Sequence, residues 1–197
     1  MRIASKWISI IVIVLTFLAC KADSEYSRNY ACHFIFYTQH GHVTQNKETS
    51  ILNGILDSPG VFAKVSVKKL SGITHVIVVP NNGGKNEDIK LTTEVENNQI
   101  TYSMGANNAL LIGCDTNLQK VAFDGQCANC LENYSTSNFP LAWSDNGRTV
   151  TCAKCGRVYD LNANGICVKG DKGRALYKYR AFMATGYDGT ATLNVVN

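Results

Sequence analysis

The chain has 197 residues, 45% of them hydrophobic and 17% charged, and a formal net charge of +4. That is apolar enough to exclude a disordered chain and long enough for one domain of ordinary size. The small charge, with no stripe of interleaved basic and aromatic residues, gives nucleic-acid binding no support.

Taken in order, the chain begins as a targeting segment. Arg2 and Lys6 are followed by Trp7 to Ala19, an apolar run of thirteen residues. The run is too short for a membrane anchor and fits a signal peptide, so residues 1–19 are expected to be removed on export. It ends in Phe17-Leu18-Ala19-Cys20. This resembles the lipobox of bacterial lipoproteins, with Phe17 where that family usually carries leucine. The resemblance implies that Cys20 becomes the lipidated first residue; a plain signal peptide with an incidental cysteine is the alternative. The expected location is the cell envelope, with the lipid holding the protein to the outer membrane on its periplasmic or surface face. Removing the leader takes away Arg2 and Lys6 and leaves 17 basic against 15 acidic residues, a net of +2. Residues 20–29 read as a polar tether and 30–197 as one domain.

That domain is expected to be all-β, because Val, Ile, Thr and Tyr are plentiful and Asn-Gly and Asp-Gly turns recur. Ala31 to Tyr37 is a first strand. Ser50 to Asp57 spaces Ile51, Leu52, Ile55 and Leu56 as a short helix does. Val61 to Val67 alternates, with Val61, Ala63, Val65 and Val67 on one face, and Thr74 to Val79 follows as a strand. Asp88 to Thr93 and Gln99 to Ser103 are expected to form a hairpin through Glu96-Asn97-Asn98. Ala109 to Cys114 and Leu118 to Asp124 should form another. Pro140 to Trp143 and Arg148 to Cys152 flank Asp145-Asn146-Gly147, a strong hairpin signal. Arg157 to Leu161 and Ile166 to Val168 flank a further turn. Leu176 to Phe182 and Thr190 to Val195 would return to the main sheet.

The chemistry lies in Cys127-Ala-Asn-Cys130 and Cys152-Ala-Lys-Cys155-Gly156, separated by twenty-one residues. Two Cys-x-x-Cys turns on hairpin tips can aim four thiolates at one point, as a tetrahedral metal ion requires. Gly156 lets the second turn leave at positive φ, so that backbone amides face the sulfurs. Two disulfide-forming pairs are the competing reading in an oxidising compartment. The metal-binding part is expected at about residues 125–168, inserted between strands of a larger barrel or sandwich.

Around the cysteines the chain resembles the Rieske family. The pattern comprises Val121-Ala-Phe-Asp124, Cys127 to Cys130, Pro140-Leu141 and Val150-Thr-Cys152-Ala-Lys-Cys155-Gly156. It continues through Val158-Tyr-Asp-Leu161, Asn164-Gly165 and Leu176-Tyr-Lys-Tyr179. More narrowly, the chain resembles exported bacterial Rieske-like lipoproteins with Cys-x-x-Cys in both loops. The resemblance implies a Rieske-like β-sandwich or barrel with an inserted zinc-ribbon or rubredoxin-like subdomain. The ligands differ from a Rieske centre, where two histidines join two cysteines. Asn129 stands where the first histidine belongs and Cys155 where the second does. The cysteine set favours one ion, Zn²⁺ or a single iron, over a [2Fe–2S] cluster.

The other candidates are weaker. Cys32, Cys114 and Cys167 leave an odd thiol count, which invites one disulfide and one buried free cysteine; Cys32 and Cys114 read best as small hydrophobes. His40-Gly41-His42 reads as a solvated loop, and His33 and His75 as packing or surface residues. Lys169, Lys172, Arg174, Lys178 and Arg180 form a basic run that either docks an acidic partner or lines an exposed strand. No hydrolytic motif is present, and an enzyme is not expected. The favoured function is a non-catalytic binding module with a structural metal and a protein partner. Electron transfer at the cell envelope with a redox partner is the alternative.

Overall fold

The computed structural model describes residues 25–40, 48–98, 100–185 and 191–197. Strand β1 (Cys32–Tyr37) leads to the short pair β2 (Gln39–His40) and β3 (Glu48–Thr49), then helix α1 (Leu52–Leu56). Next come β4 (Phe62–Leu70), β5 (Ile73–Pro80), β6 (Glu87–Leu91), helix α2 (Glu94–Asn98) and β7 (Ile100–Met104). The hairpin of β8 (Ala109–Cys114) and β9 (Lys120–Asp124) delivers the chain to helix α3 (Ala128–Asn133). A second sheet then forms from β10 (Leu141–Ser144), β11 (Thr149–Cys152), β12 (Val158–Asp160) and β13 (Ile166–Lys169). Finally β14 (Lys178–Thr185) and β15 (Ala191–Val196) return to the first.

The fold is all-β, as the composition demands, with the short helix expected at 50–57. The main sheet is antiparallel in the order β6-β5-β4-β8-β9-β14-β15-β1-β7. In β4 the alternation is realised: Ala63, Val65 and Val67 are buried, while Lys64 and Ser66 are half-exposed. Helix α1 lays Leu52, Ile55 and Leu56 against β4 and β8, and every residue of β8 is buried.

One expected hairpin is wrong. Asp88 to Thr93 and Gln99 to Ser103 do not pair: β6 and β7 occupy opposite edges of the main sheet, bonded to β5 and β1. The connection contains helix α2, where Asn97 Nδ2 donates to the carbonyls of Leu91 and Thr93 at 3.1 and 2.9 Å. Because so short a connection links the two outermost strands, the sheet has to curl into a half-barrel. Polar residues mark a reversal equally well for a tight turn and for a crossover; which edge a strand joins is a long-range choice.

The four-stranded sheet β10-β11-β12-β13 is inserted between β9 and β14, which are themselves neighbours in the main sheet. Lys64 Nζ donates to the Leu141 carbonyl at 3.0 Å, and burial draws this ammonium's pKa down. Asn81 Nδ2 donates to the Gly147 carbonyl at 3.0 Å, while its Oδ1 accepts from the Phe62 amide at 3.0 Å. Gly147 has φ +85, and a Cβ there would fall 2.0 Å from the Asn81 carbonyl oxygen. On the other side Gly165 (φ +71) packs on Phe123, with Leu176 N–H donating to its carbonyl at 2.9 Å.

Gly147→Ala is therefore expected to be costly twice over, through its φ and through a backbone clash. A loss of about 2 kcal/mol, or about 4–8 °C in melting temperature for a domain of this size, should appear in thermal unfolding.

Candidate metal centre

The first cysteine pair lies at the start of a helix rather than on a hairpin tip. Cys127 is the extended N-cap of α3, and Cys130 lies one turn in, so i and i+3 spacing sets both thiols on one side. The backbone explains the difference: Leu131 N–H donates to the Cys127 carbonyl at 3.0 Å, closing a helical turn where a reversal was expected. The second pair is on a hairpin tip as expected, with Cys152 ending β11 and Cys155 in the turn that leads to β12. Gly156 has φ +68, and its amide donates to the Cys152 carbonyl at 2.9 Å. Nothing lies within 4 Å of a Cβ at Gly156. Its glycine serves the backbone angle alone.

All four sulfurs lie within 4.8 Å of one another. Two approaches cross between the pairs: Cys127 to Cys155 and Cys130 to Cys152, both 3.7 Å. A tetrahedron with metal–sulfur bonds of about 2.3 Å has edges of about 3.8 Å. These two edges already have that length, and four cysteines so gathered could hold a single metal ion. None of the four is in a disulfide.

Cys127, Cys130 and Cys152 are buried, and Cys155 is half-buried. Burial pushes the Cys127 thiol up to about 11, against the Tyr159 hydroxyl and the Cys130 amide, which lower it. Burial, then the neighbouring thiols, push Cys130 up as well. At Cys155 burial also raises the pKa, but it is outweighed. The Arg157 amide and guanidinium, with the thiols of Cys130 and Cys127, bring Cys155 down to about 7. Without a cation Cys127 and Cys130 hold their protons more tightly than free thiols, and a bound ion has to displace them.

A hydrogen-bonded chain fixes the first pair. Asn129 Nδ2 can only donate, and it does so to Tyr159 Oη at 2.9 Å. The Tyr159 hydroxyl hydrogen is thus left for Cys127 Sγ, 3.1 Å away. Asn129 also grips the backbone of Arg174, donating to its carbonyl at 3.0 Å and accepting from its amide at 3.1 Å. A Cβ on Gly173 would fall 2.2 Å from Asn129 Oδ1, so only glycine permits this approach. Asn129, placed by the resemblance where a Rieske protein has a ligand histidine, has its amide committed to these bonds.

Asp124 braces the loop from the main sheet. Its buried carboxylate accepts from the amides of Ala106 and Gln126 at 2.8 and 2.9 Å and from the Tyr179 hydroxyl at 2.9 Å. Burial raises its pKa, and those bonds oppose the rise. A Cβ on Gly105 (φ +64) would fall 2.2 Å from Asp124 Oδ2. Gln126 continues the brace, its Oε1 accepting from the Phe139 amide at 2.6 Å.

Sequence reasoning located the four cysteines but missed the roles of Asn129, Tyr159, Arg157, Arg174 and Asp124. Tyr159 and Asp124 lay within the quoted pattern, yet nothing local assigned them a partner. Cys32, Cys114 and Cys167 form no disulfide, so the pair invited by the odd count is not made. Cys32 and Cys114 are buried, and burial pushes Cys32 up to about 12. His75 is nearly buried and bonds Asp88 at 2.8 Å, while His33 is exposed. Cys20 and the leader lie outside the described residues, as does His42; of His40 only the backbone is described.

Tyr159→Phe removes the O–H donor to Cys127 and leaves one Asn129 donor unmatched inside the protein. A loss of about 1–3 kcal/mol is expected in denaturant unfolding. Asn129→Ala should cost at least as much, because the Arg174 clamp goes too.

No protein-family model matches the chain, and no curated protein matches it.

Proposed function

We propose that this is an exported, Rieske-like protein, anchored by a lipid on Cys20, whose four cysteines hold one structural Zn²⁺ and brace a non-catalytic binding module. The observation that carries the metal is the interleaving of Cys127, Cys130, Cys152 and Cys155 within 4.8 Å. A [2Fe–2S] cluster divides its thiolates between two metal atoms and spreads them wider than one tetrahedron does. One compact sulfur group suits a single ion. Zinc on four thiolates would be closed and without redox chemistry, contributing on the order of 10 kcal/mol to the fold around it.

The Rieske-like reading is supported by the topology. An insertion made of helix α3 and a small four-stranded sheet, each bearing one cysteine pair, interrupts two neighbouring strands of a larger antiparallel sheet. Export and lipidation rest on the sequence alone: the basic, apolar, Ala19-Cys20 progression of the leader.

A single rubredoxin-like iron is the second reading. Two donors aimed at the sulfurs favour it: the Tyr159 hydroxyl at Cys127 and the Arg157 guanidinium at Cys155. Both would spread thiolate charge as the ion changes oxidation state.

Elemental analysis and the visible spectrum of purified protein separate the two. One equivalent of zinc without colour is expected; strong colour with iron would replace the first reading by the second. Cys152→Ser should lower the melting temperature by several degrees, as removal of the ion by a chelator should in the wild type. Voltammetry should show no wave in the wild type; a reversible one-electron wave lost in Cys152→Ser would make the protein an electron carrier. Metabolic labelling with a fatty-acid analogue should mark the wild type and spare Cys20→Ser.

A further inference from the structure

The structure divides the basic run that follows the second cysteine pair. Lys178 is held on β14 by Glu25 at 2.5 Å and lies over the Tyr26 ring. Arg180 lies over Phe182 of the same strand. Lys169, Lys172 and Arg174 go elsewhere, because the segment carrying them folds back to the second knuckle and to α3. Arg157 Nε donates to the Asp171 carbonyl at 3.1 Å. Gly170 (φ +101) lies against the same arginine, so that a Cβ there would meet its Cγ at 3.2 Å. The Arg174 backbone is fixed to Asn129.

Two fastened segments therefore surround Cys155, the only one of the four cysteines that is not fully buried. The knuckle supplies Lys154 and Arg157, and the returning segment supplies Lys169, Lys172 and Arg174. All are exposed except Arg157, which is half-exposed. The carboxylates beside them are Asp171 in the returning segment and Glu132 on α3, the latter already paired with Arg174. A divalent ion on four thiolates carries two negative charges. Five cations against two carboxylates exceed that, and the face stays positive with the ion in place. Apolar surface accompanies the cations: Tyr134, over whose ring Lys154 lies, is 48% exposed.

We propose that this face docks a protein partner through a carboxylate-rich surface centred on the Cys155 edge. The argument is charge complementarity on a fixed frame. Exposed cations speed association with an oppositely charged surface, and salt weakens the effect. The partner gives the binding-module reading its chemistry and rests on that reading for its purpose, while the charge of the face does not.

The test uses a fluorescent decaglutamate peptide as the probe and the full chain, purified with its metal content measured. Binding should be seen at low salt and should weaken at about 0.15 M. The combination Lys154→Glu, Lys169→Glu and Lys172→Glu should weaken it more than about tenfold. Lys169→Glu with Lys172→Glu, which leaves the cysteine turn untouched, should give most of that loss without changing metal content or melting temperature. Lys68→Glu with Lys69→Glu, exposed on β4, should have almost no effect. Equal losses in the β4 pair, or no binding of decaglutamate, would overturn the proposal. So would binding of heparin in place of decaglutamate. If the protein carries no metal and the Lys169/Lys172 variant still loses the peptide, the docking face stands and the metal reading falls.

Discussion

Four sulfurs in one small volume, three of them shut off from water, is the arrangement on which the rest of the inserted unit depends. Ionised, they repel one another and lose hydration; protonated, they are weak hydrogen-bonding groups packed in a poor geometry. A divalent cation resolves both at once. The small sheet contributes few buried side chains of its own. Its inner face offers Leu141, Val150, Cys152 and Tyr159, and β13 is mostly exposed. So small a unit commonly needs a disulfide or a metal to stay folded.

The cluster also needs its two loops delivered in register, and the main sheet does this from both sides. Pairing of β9 with β14 fixes where the insertion leaves and returns. Asp124 then ties the end of β9 to the Gly105 turn and to Tyr179 on β14. A buried carboxylate without a cation partner is expensive unless donors surround it, and two amides and a hydroxyl do so here. At the far end Asn81 and Gly147 seat the β10–β11 hairpin against the main sheet, while Asn129 closes the returning segment over α3. The insertion is pinned at several points, and the geometry of the sulfurs follows from that frame.

Function follows from what the frame leaves open. Cys127 and Cys130 are enclosed and hydrogen-bonded, which suits an ion that stays in place. Cys155 alone approaches the surface, under the Arg157 guanidinium and between two cationic segments. The face proposed for docking is the cationic surface that this frame holds around Cys155.

What the sequence determined by itself was local: the paired Cys-x-x-Cys spacing, the Asp145-Asn146-Gly147 reversal, the alternation through Val61 to Val67 and the helical spacing at 50–57. Each is set by bonding within a few residues, so the order of the residues is enough to show it. Only the tertiary structure decided that Glu94–Asn98 bridges opposite edges of a curled sheet, because strand partners are chosen by burial across the whole domain. It also decided that Asn129 reaches Arg174 and Tyr159, and that the basic run divides between β14 and the surroundings of the cysteine cluster. The two Asn129 contacts join residues 45 and 30 positions apart, and a separation of that length leaves no mark in the spacing of either partner.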